Sequence, residues 1–381
     1  MNHIKKIAAQ LESDHQKLDG ILITSAANEY YAMGFHGEGY VLITRDFCHY
    51  TTDSRYIEAA QNIRKEIEAA GNPDAFGSQD KAASDTDLPL KISMICPGQG
   101  HIEQAVSFAR SKGLLRVGFE EETMTVSEYN RIRAAFPEKV ELIPSSTLLT
   151  GLRSSKDPEE LELIQKAQDI TDRAFTEILN DLRPGVTEKE IAARLTYLQM
   201  KLGASGNSFD PIAASGANGS MPHAVPTDKP LAEGEFITMD FGAVFQGYCS
   251  DMTRTVCIGT PSDEMQLVYD TVLKAQKAGM DLACAQATGA QVHEAAHEVI
   301  RQAGYGQYFG HGFGHSLGIE IHEAPTASPR NKEKMPVGAV VSAEPGIYLP
   351  GRFGVRIEDI TYYRETDCVS LTHSPKELIC L

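Results

Sequence analysis

The sequence predicts two domains, an α/β domain over residues 1–145 and an α+β domain with an antiparallel sheet over residues 146–381. Three observations predict this. The chain has 381 residues, too many for one ordinary core and few for three. Up to about residue 150, short apolar runs alternate with polar, helix-favouring stretches. Beyond that point helices come first and strand-like runs dominate the remainder.

In the first domain the runs at 20–24, 40–44, 91–96, 115–119 and 140–143 have the length and character of buried strands, while 54–70 and 126–135 read as helices between them. Residues 144–156 then turn rich in Ser, Thr and Gly. Asp157 as N-cap, Pro158 at the first helical position and Glu160 three after the cap open a long helix, which Arg183-Pro184-Gly185 stops near Leu182. Thr187 and Glu190 form a second capping box and open a helix ending near Gly203. Strands are expected at 235–243, 248–258, 339–343 and 355–363, with one amphipathic helical region at 263–302 among them.

Composition excludes several classes of function. With 35 basic and 52 acidic residues the net charge is −17, which argues against nucleic-acid or anionic-membrane partners, because phosphate binding needs clustered Lys and Arg. Cys48, Cys96, Cys249, Cys257, Cys284, Cys368 and Cys380 are scattered and contain no CxxC pair. Neither a disulfide framework nor a thiolate metal site is expected, and a reducing compartment fits. The first 20 residues are charged throughout, and no later run is long and apolar enough to span a bilayer. A cytoplasmic protein is expected.

The chemistry begins in the stretch 235–256, whose two arms alternate around a short connection near Phe245 and Gln246. A turn there sets Asp240 opposite Asp251, so two like charges face each other unless a cation intervenes. For one hairpin alone, two aspartates on a solvated face are the commoner arrangement. The stretch 340–360 repeats the pattern, with Glu344 and Glu358 symmetric about Gly351 in a Pro- and Gly-rich connection. Arg356 shares the face of Glu358 and could hold a carboxylate in place, and Thr253 shares the strand face of Asp251. His311, His315 and His322 fall within one short Gly-rich segment, whose glycines let the backbone pass close to an ion or substrate. Four carboxylates and an imidazole suit two divalent ions, Mn2+, Co2+, Fe2+ or Zn2+, with a shared hydroxide as nucleophile. Hydrolysis is the reaction expected.

Two literal motifs are set aside. His293-Glu294-Ala295-Ala296-His297 matches the HExxH zinc signature. The apolar stripe of Val292, Ala295, Ala296, Val299, Ile300 and Ala303, however, is expected to leave His293 and His297 on an opposite, charged face with Arg301. Asp240-Phe241-Gly242 mimics a kinase motif without the glycine-rich or catalytic loops that should accompany it.

The ordered set Asp240, Asp251 within DMTR, His315 within HGFGHSLG, Glu344 within EPGIY and Glu358 within VRIED resembles the metal-binding signature of the Xaa-Pro aminopeptidases, prolidases and methionine aminopeptidases of the pita-bread fold. His223 closing SGANGSMPH and His322 in HEAP are similar to the proline-specific branch. NEYYAMGF and YTTDSRY resemble that branch's creatinase-like N-terminal domain. The resemblance implies a pita-bread catalytic domain that hydrolyses the bond between an N-terminal residue and proline. It implies that Asp240 chelates one ion, Asp251 and Glu358 bridge, and His315 with Glu344 complete the second, with Mn2+ the leading candidate. His223, His311 and His322 would surround the substrate, Glu344 would shuttle a proton, and His322 and His223 would steady the oxyanion. It also implies a homodimer, with His36 and Glu38 helping to close a neighbour's site. Creatinase-like amidinohydrolases and inactive binding proteins of the same fold are the alternatives; the complete set of ligand positions favours the peptidase.

Overall fold

The computed structural model describes residues 3–70 and 88–381, and the chain divides into two compact units, Met1–Leu152 and Arg153–Leu381. The boundary expected at residue 145 precedes the helix Ser146–Arg153, and the division between units falls at that helix's end.

The first unit is built on a six-stranded mixed sheet in the order Leu90–Met94, Cys48–Thr52, Tyr40–Thr44, Gly20–Ile23, Arg116–Phe119, Glu141–Pro144. Its central strands are apolar and buried, and the helices His101–Lys112 and Val126–Ala135 pack an apolar cluster against them around Leu22, Leu42, Val117 and Ile132. Strand Cys48–Thr52 is absent from the sequence prediction, because CHYTT is too polar to read as a core strand. All five of its residues are buried, and its polar groups find partners inside: Tyr50 Oη donates to Glu29 at 2.7 Å and Thr52 Oγ1 to the Gly37 carbonyl at 2.6 Å.

In the second unit both predicted capping boxes form, at Asp157/Glu160 ahead of helix Pro158–Ile178 and at Thr187/Glu190 ahead of helix Glu188–Lys201. The helical region expected at 263–302 is two helices, Asp263–Leu282 and Gly289–Gln302. The second has its own capping box, Thr288 with Gln291, which starts it afresh after a short break. No helix among the described residues is long and apolar enough to cross a membrane.

Every pairing between named strands of this unit is antiparallel, as expected. One sheet runs Met252–Ile258, Glu235–Phe241, Ile212–Ser215; another runs Glu323–Ala327, Gly314–Ser316, Val340–Ala343, Asp359–Tyr363, Cys368–Ser370. A two-stranded ladder joins Gly346–Leu349 to Phe353–Arg356. Helices Pro158–Ile178 and Glu188–Lys201 bury Phe175, Ile191 and Leu195 with Ile237, Met239 and Val256 of the first sheet. Helices Asp263–Leu282 and Gly289–Gln302 bury Val268, Val272, Val292 and Ile300 with Val341, Ile347 and Val355. These two apolar layers hold the strands rigid, leaving their polar residues free to line a cleft.

The helix Gly289–Gln302 corrects one expectation. His293 is buried, only 6 % exposed, and stacks between His297 and Phe309 at centroid distances of 5.6 and 5.3 Å. The residue following Val292 sits at the edge of the apolar stripe rather than opposite it, so an imidazole there reaches the core with its aromatic face. Burial pushes its pKa down to about 4, and the neighbouring His297 adds to that.

Candidate metal centre

The strands Glu235–Phe241 and Met252–Ile258 pair with Thr253 opposite Asp240 and Met252 opposite Phe241. The turn between the arms is Gln246-Gly247, both at positive φ (44° and 78°), which is the two-residue geometry that matches strand twist. Asp251 is therefore not directly across from Asp240, as expected from a turn one residue earlier. It lies two residues from the registered partner, and because side chains alternate with period two it keeps the same face, diagonal to Asp240. Gly242 is required nearby, since a Cβ there would meet the Ser250 carbonyl at 1.9 Å.

Glu344 and Glu358 occupy a gap between two ladders of one register. Ala343 pairs with Asp359 on one side and Gly346 with Arg356 on the other. The two glutamates thus fall where the symmetry about Gly351 places them, and Pro345, which has no N–H to give, interrupts the ladder beside them. His315 comes from strand Gly314–Ser316, at a bulge in its pairing with Glu323–Ala327. A Cβ on Gly314 would strike the Ser342 carbonyl at 1.8 Å, so only glycine permits this approach.

These elements bring ligand atoms of Asp251, His315 and Glu358 within 4.8 Å of one another. His315 Nε2 lies 3.6 Å from Asp251 Oδ2 and 3.4 Å from Glu344 Oε1. Its Nδ1 sits 3.2 Å from the Ser316 carbonyl, which fixes the proton on Nδ1 and leaves the Nε2 lone pair facing the carboxylates. Burial pushes the His315 pKa down, which keeps that lone pair free. Ser342 Oγ accepts from His315 N–H at 2.9 Å and donates to Glu344 Oε1 at 3.0 Å, joining the two residues.

Arg356 is the organising cation. It is 4 % exposed and donates through Nη2 to Asp240 Oδ2 at 2.6 Å, through Nε to Thr253 Oγ1 at 3.0 Å, and through Nη1 to the Pro222 carbonyl at 3.2 Å and Tyr348 Oη at 3.0 Å. Thr253 Oγ1 in turn donates to Glu358 Oε2 at 2.7 Å. One guanidinium therefore fixes Asp240 directly, Glu358 through a hydroxyl, and the residue preceding His223. His311 has both ring nitrogens engaged, Nδ1 with the Gly312 carbonyl at 2.8 Å and Nε2 with Tyr348 Oη at 2.9 Å. Its geometry is that of a residue holding Tyr348, whereas His223 and His322 are exposed at the same cleft. His322 packs edge-on against His315 with centroids 4.4 Å apart. The loop carrying it is anchored by Glu323, whose carboxylate meets Arg153 at 2.5 Å and Lys156 at 3.0 Å.

The donor set fits divalent cations. Asp240 Oδ1, Asp251 Oδ1 and Glu358 Oε1 are buried with no hydrogen-bond partner, a costly state for ionised oxygens. Burial first, and the neighbouring carboxylates next, hold Asp251 and Glu358 well above the usual carboxylate range. One arginine cannot neutralise four carboxylates, and an ion bound by oxygen and imidazole donors would satisfy the orphaned atoms and restore ionisation. The surrounding cleft is about 490 Å³ and is also lined by Phe209, Asp210, Ile212, Ile321, Thr326 and Ser328, a size suited to a small peptide.

Sequence reasoning did not assign Tyr348, Ser342 or Glu323. Tyr348 had a readable signal, since it alternates with Gly346 on the hairpin arm leading from Glu344; Ser342 and Glu323 act through contacts that only the fold creates. His36 and Glu38 belong to the first unit, where His36 packs at a tilt against Tyr30 with centroids 4.5 Å apart and Glu38 binds Arg55 at 2.5 Å and Tyr56 at 2.9 Å.

Residues 162–365 match the model of metallopeptidase family M24, and residues 4–155 match the creatinase/prolidase N-terminal domain. The chain is similar to an uncharacterized peptidase of Bacillus subtilis, 38 % identical over 96 % of each chain. Among solved structures it is similar to an Xaa-Pro dipeptidase from Bacillus anthracis, with 37 % identity, a TM-score of 0.89, and coverage of 99 % of this chain and 100 % of that one. It is also similar to an X-Pro aminopeptidase from Thermotoga maritima, with 34 % identity, a TM-score of 0.86 and full coverage of both chains.

Proposed function

Because this chain belongs to metallopeptidase family M24, we propose that it hydrolyses the peptide bond between an N-terminal residue and proline. The observation that carries the reading is the cluster of Asp251, His315 and Glu358 beside Asp240, with one unpartnered buried oxygen on each of the three carboxylates Asp240, Asp251 and Glu358 in a peptide-sized cleft. Asp240, Asp251, His315, Glu344 and Glu358 would hold two divalent ions. Manganese is the proposed resident, and cobalt, iron or zinc are compatible with the same donors. When bound, such ions generate a nucleophile from water at neutral pH and polarise the scissile carbonyl.

The remaining work falls to the chain's own side chains. Arg356 keeps Asp240 and, through Thr253, Glu358 in fixed orientations, so that little reorganisation is needed as charge develops. Glu344, raised above the ordinary carboxylate range chiefly by burial, would take a proton from the attacking water and return it to the prolyl nitrogen. His322 and His223, exposed at the cleft, would donate to the developing oxyanion. The acidic charge and scattered thiols support a cytoplasmic location, and family resemblance supports a homodimer. The intact ligand set favours a peptidase over an amidinohydrolase or a binding protein of the same fold.

Matched Xaa-Pro and Xaa-Ala peptides, each as dipeptide and tripeptide with added Mn2+, test the substrate assignment. Cleavage before proline and little before alanine is expected, and equal rates would overturn proline selectivity. The ratio of dipeptide to tripeptide turnover separates dipeptidase from aminopeptidase.

A further inference from the structure

The chain's last residues run beside strand Met252–Ile258, away from the cleft's ligands. Cys257 N–H donates to the Ile379 carbonyl at 2.9 Å, and Leu381 N–H donates to the Cys257 carbonyl at 3.0 Å. This is the pattern of a parallel pair, with Cys257 registered against Cys380. Registered neighbours carry their side chains on one face with strands about 4.8 Å apart, inside the roughly 4.4–6.8 Å between α-carbons that a disulfide tolerates. The two thiols are close enough for Cys380 to raise the Cys257 pKa. Cys257 is fully buried and Cys380 is exposed.

We propose that Cys257 and Cys380 are a redox-responsive pair that closes to a disulfide when the protein meets a low-molecular-weight disulfide such as oxidised glutathione. The exposed Cys380 thiolate attacks one sulfur of the oxidant, forming a mixed disulfide and releasing one small thiol. Cys257, once deprotonated, attacks the Cys380 sulfur, and the second small thiol leaves. Two protein S–H bonds are exchanged for one S–S bond, and the oxidant is reduced to two thiols. Burial and then the adjacent Cys380 thiol push the Cys257 pKa up to about 11, so the second step is the slow one. The bond would tie the tail to the strand: Leu378 packs on one apolar layer and Ile379 on the other, and the long loop it closes restricts the unfolded chain.

The test uses the full-length protein. After reduction and incubation with oxidised glutathione, free thiols are alkylated in denaturant and peptides mapped without reduction. A cross-linked Cys257–Cys380 peptide is expected, with a thermal midpoint raised by on the order of 5 °C and restored to its starting value by dithiothreitol. Cys380→Ser, an exposed change, should leave Cys257 alkylated and remove the rise. Recovery of Cys257 as an alkylated thiol in the wild type, whether Cys380 carries glutathione or not, overturns the proposal. So does finding Cys284–Cys368, the other pair of neighbouring thiols, as the sole internal bond.

Discussion

Glu358→Gln is expected to raise the stability of the metal-free protein while abolishing its response to divalent ions and lowering kcat by a factor on the order of 10³ or more. Glu358 is 1 % exposed, with one oxygen held by Thr253 and the other unpartnered. Without a cation a charge on Glu358 would face Glu344 and Asp240 in a desolvated space, so its folded-state pKa is raised and the carboxyl is held towards its protonated form. The sign follows from linkage. A carboxyl whose folded pKa lies above its unfolded value near 4 stabilises below that value and loses this stabilisation as pH rises through the folded pKa. At neutral pH Glu358 and Asp251 therefore weigh against the apo fold. Glutamine removes the cost of either burying that charge or holding the carboxyl protonated, at nearly constant volume, so the apo thermal midpoint should rise at pH 7, with little difference at pH 4. Added Mn2+ should reverse the order: the wild type gains by mass action, whereas the variant, short of one anionic donor, gains little. Thermal unfolding with and without chelator measures this. An apo variant less stable than the apo wild type would mean that Glu358 is a structural hydrogen-bonding group.

His322→Ala is expected to keep its ions and lose kcat by about 10²–10³, the scale of removing one oxyanion donor. His322 is exposed at the cleft and touches His315 only by ring contact, so its loss leaves every proposed ligand in place. A fall in metal content that parallels the fall in kcat would move His322 into the ligand set. Glu323→Gln should reproduce part of the loss, since the ion pairs with Arg153 and Lys156 that anchor the loop are weakened.

Much of the molecule was legible because local chemistry and global fold agree. Asp157 with Glu160 and Thr187 with Glu190 announce helices whose boxes form, and the symmetry of Glu344 and Glu358 about Gly351 is the register of two ladders. The pairing of Asp240 with Asp251 was shifted because the turn Gln246-Gly247 depends on positive φ at a glutamine, which composition does not signal. The face survived because the register error was an even number of residues. Cys48–Thr52 was missed because polar side chains can be buried when partners wait inside. His293 was misplaced because an aromatic ring at the border of an apolar stripe turns inward when Phe309 offers a surface. Ser342 and Glu323 owe their roles to residues distant in sequence, Arg153 and Lys156 among them.

The most direct test is the metal content of the purified chain after dialysis against Mn2+, measured by elemental analysis for the wild type, His315→Ala and His297→Ala. Two ions per chain are expected in the wild type and in His297→Ala, because His297 lies on the helix Gly289–Gln302 outside the cleft, and fewer in His315→Ala, which would open a coordination position beside crowded carboxylates. A wild type that retains no divalent ion, or loss of metal in His297→Ala with full retention in His315→Ala, would contradict that expectation.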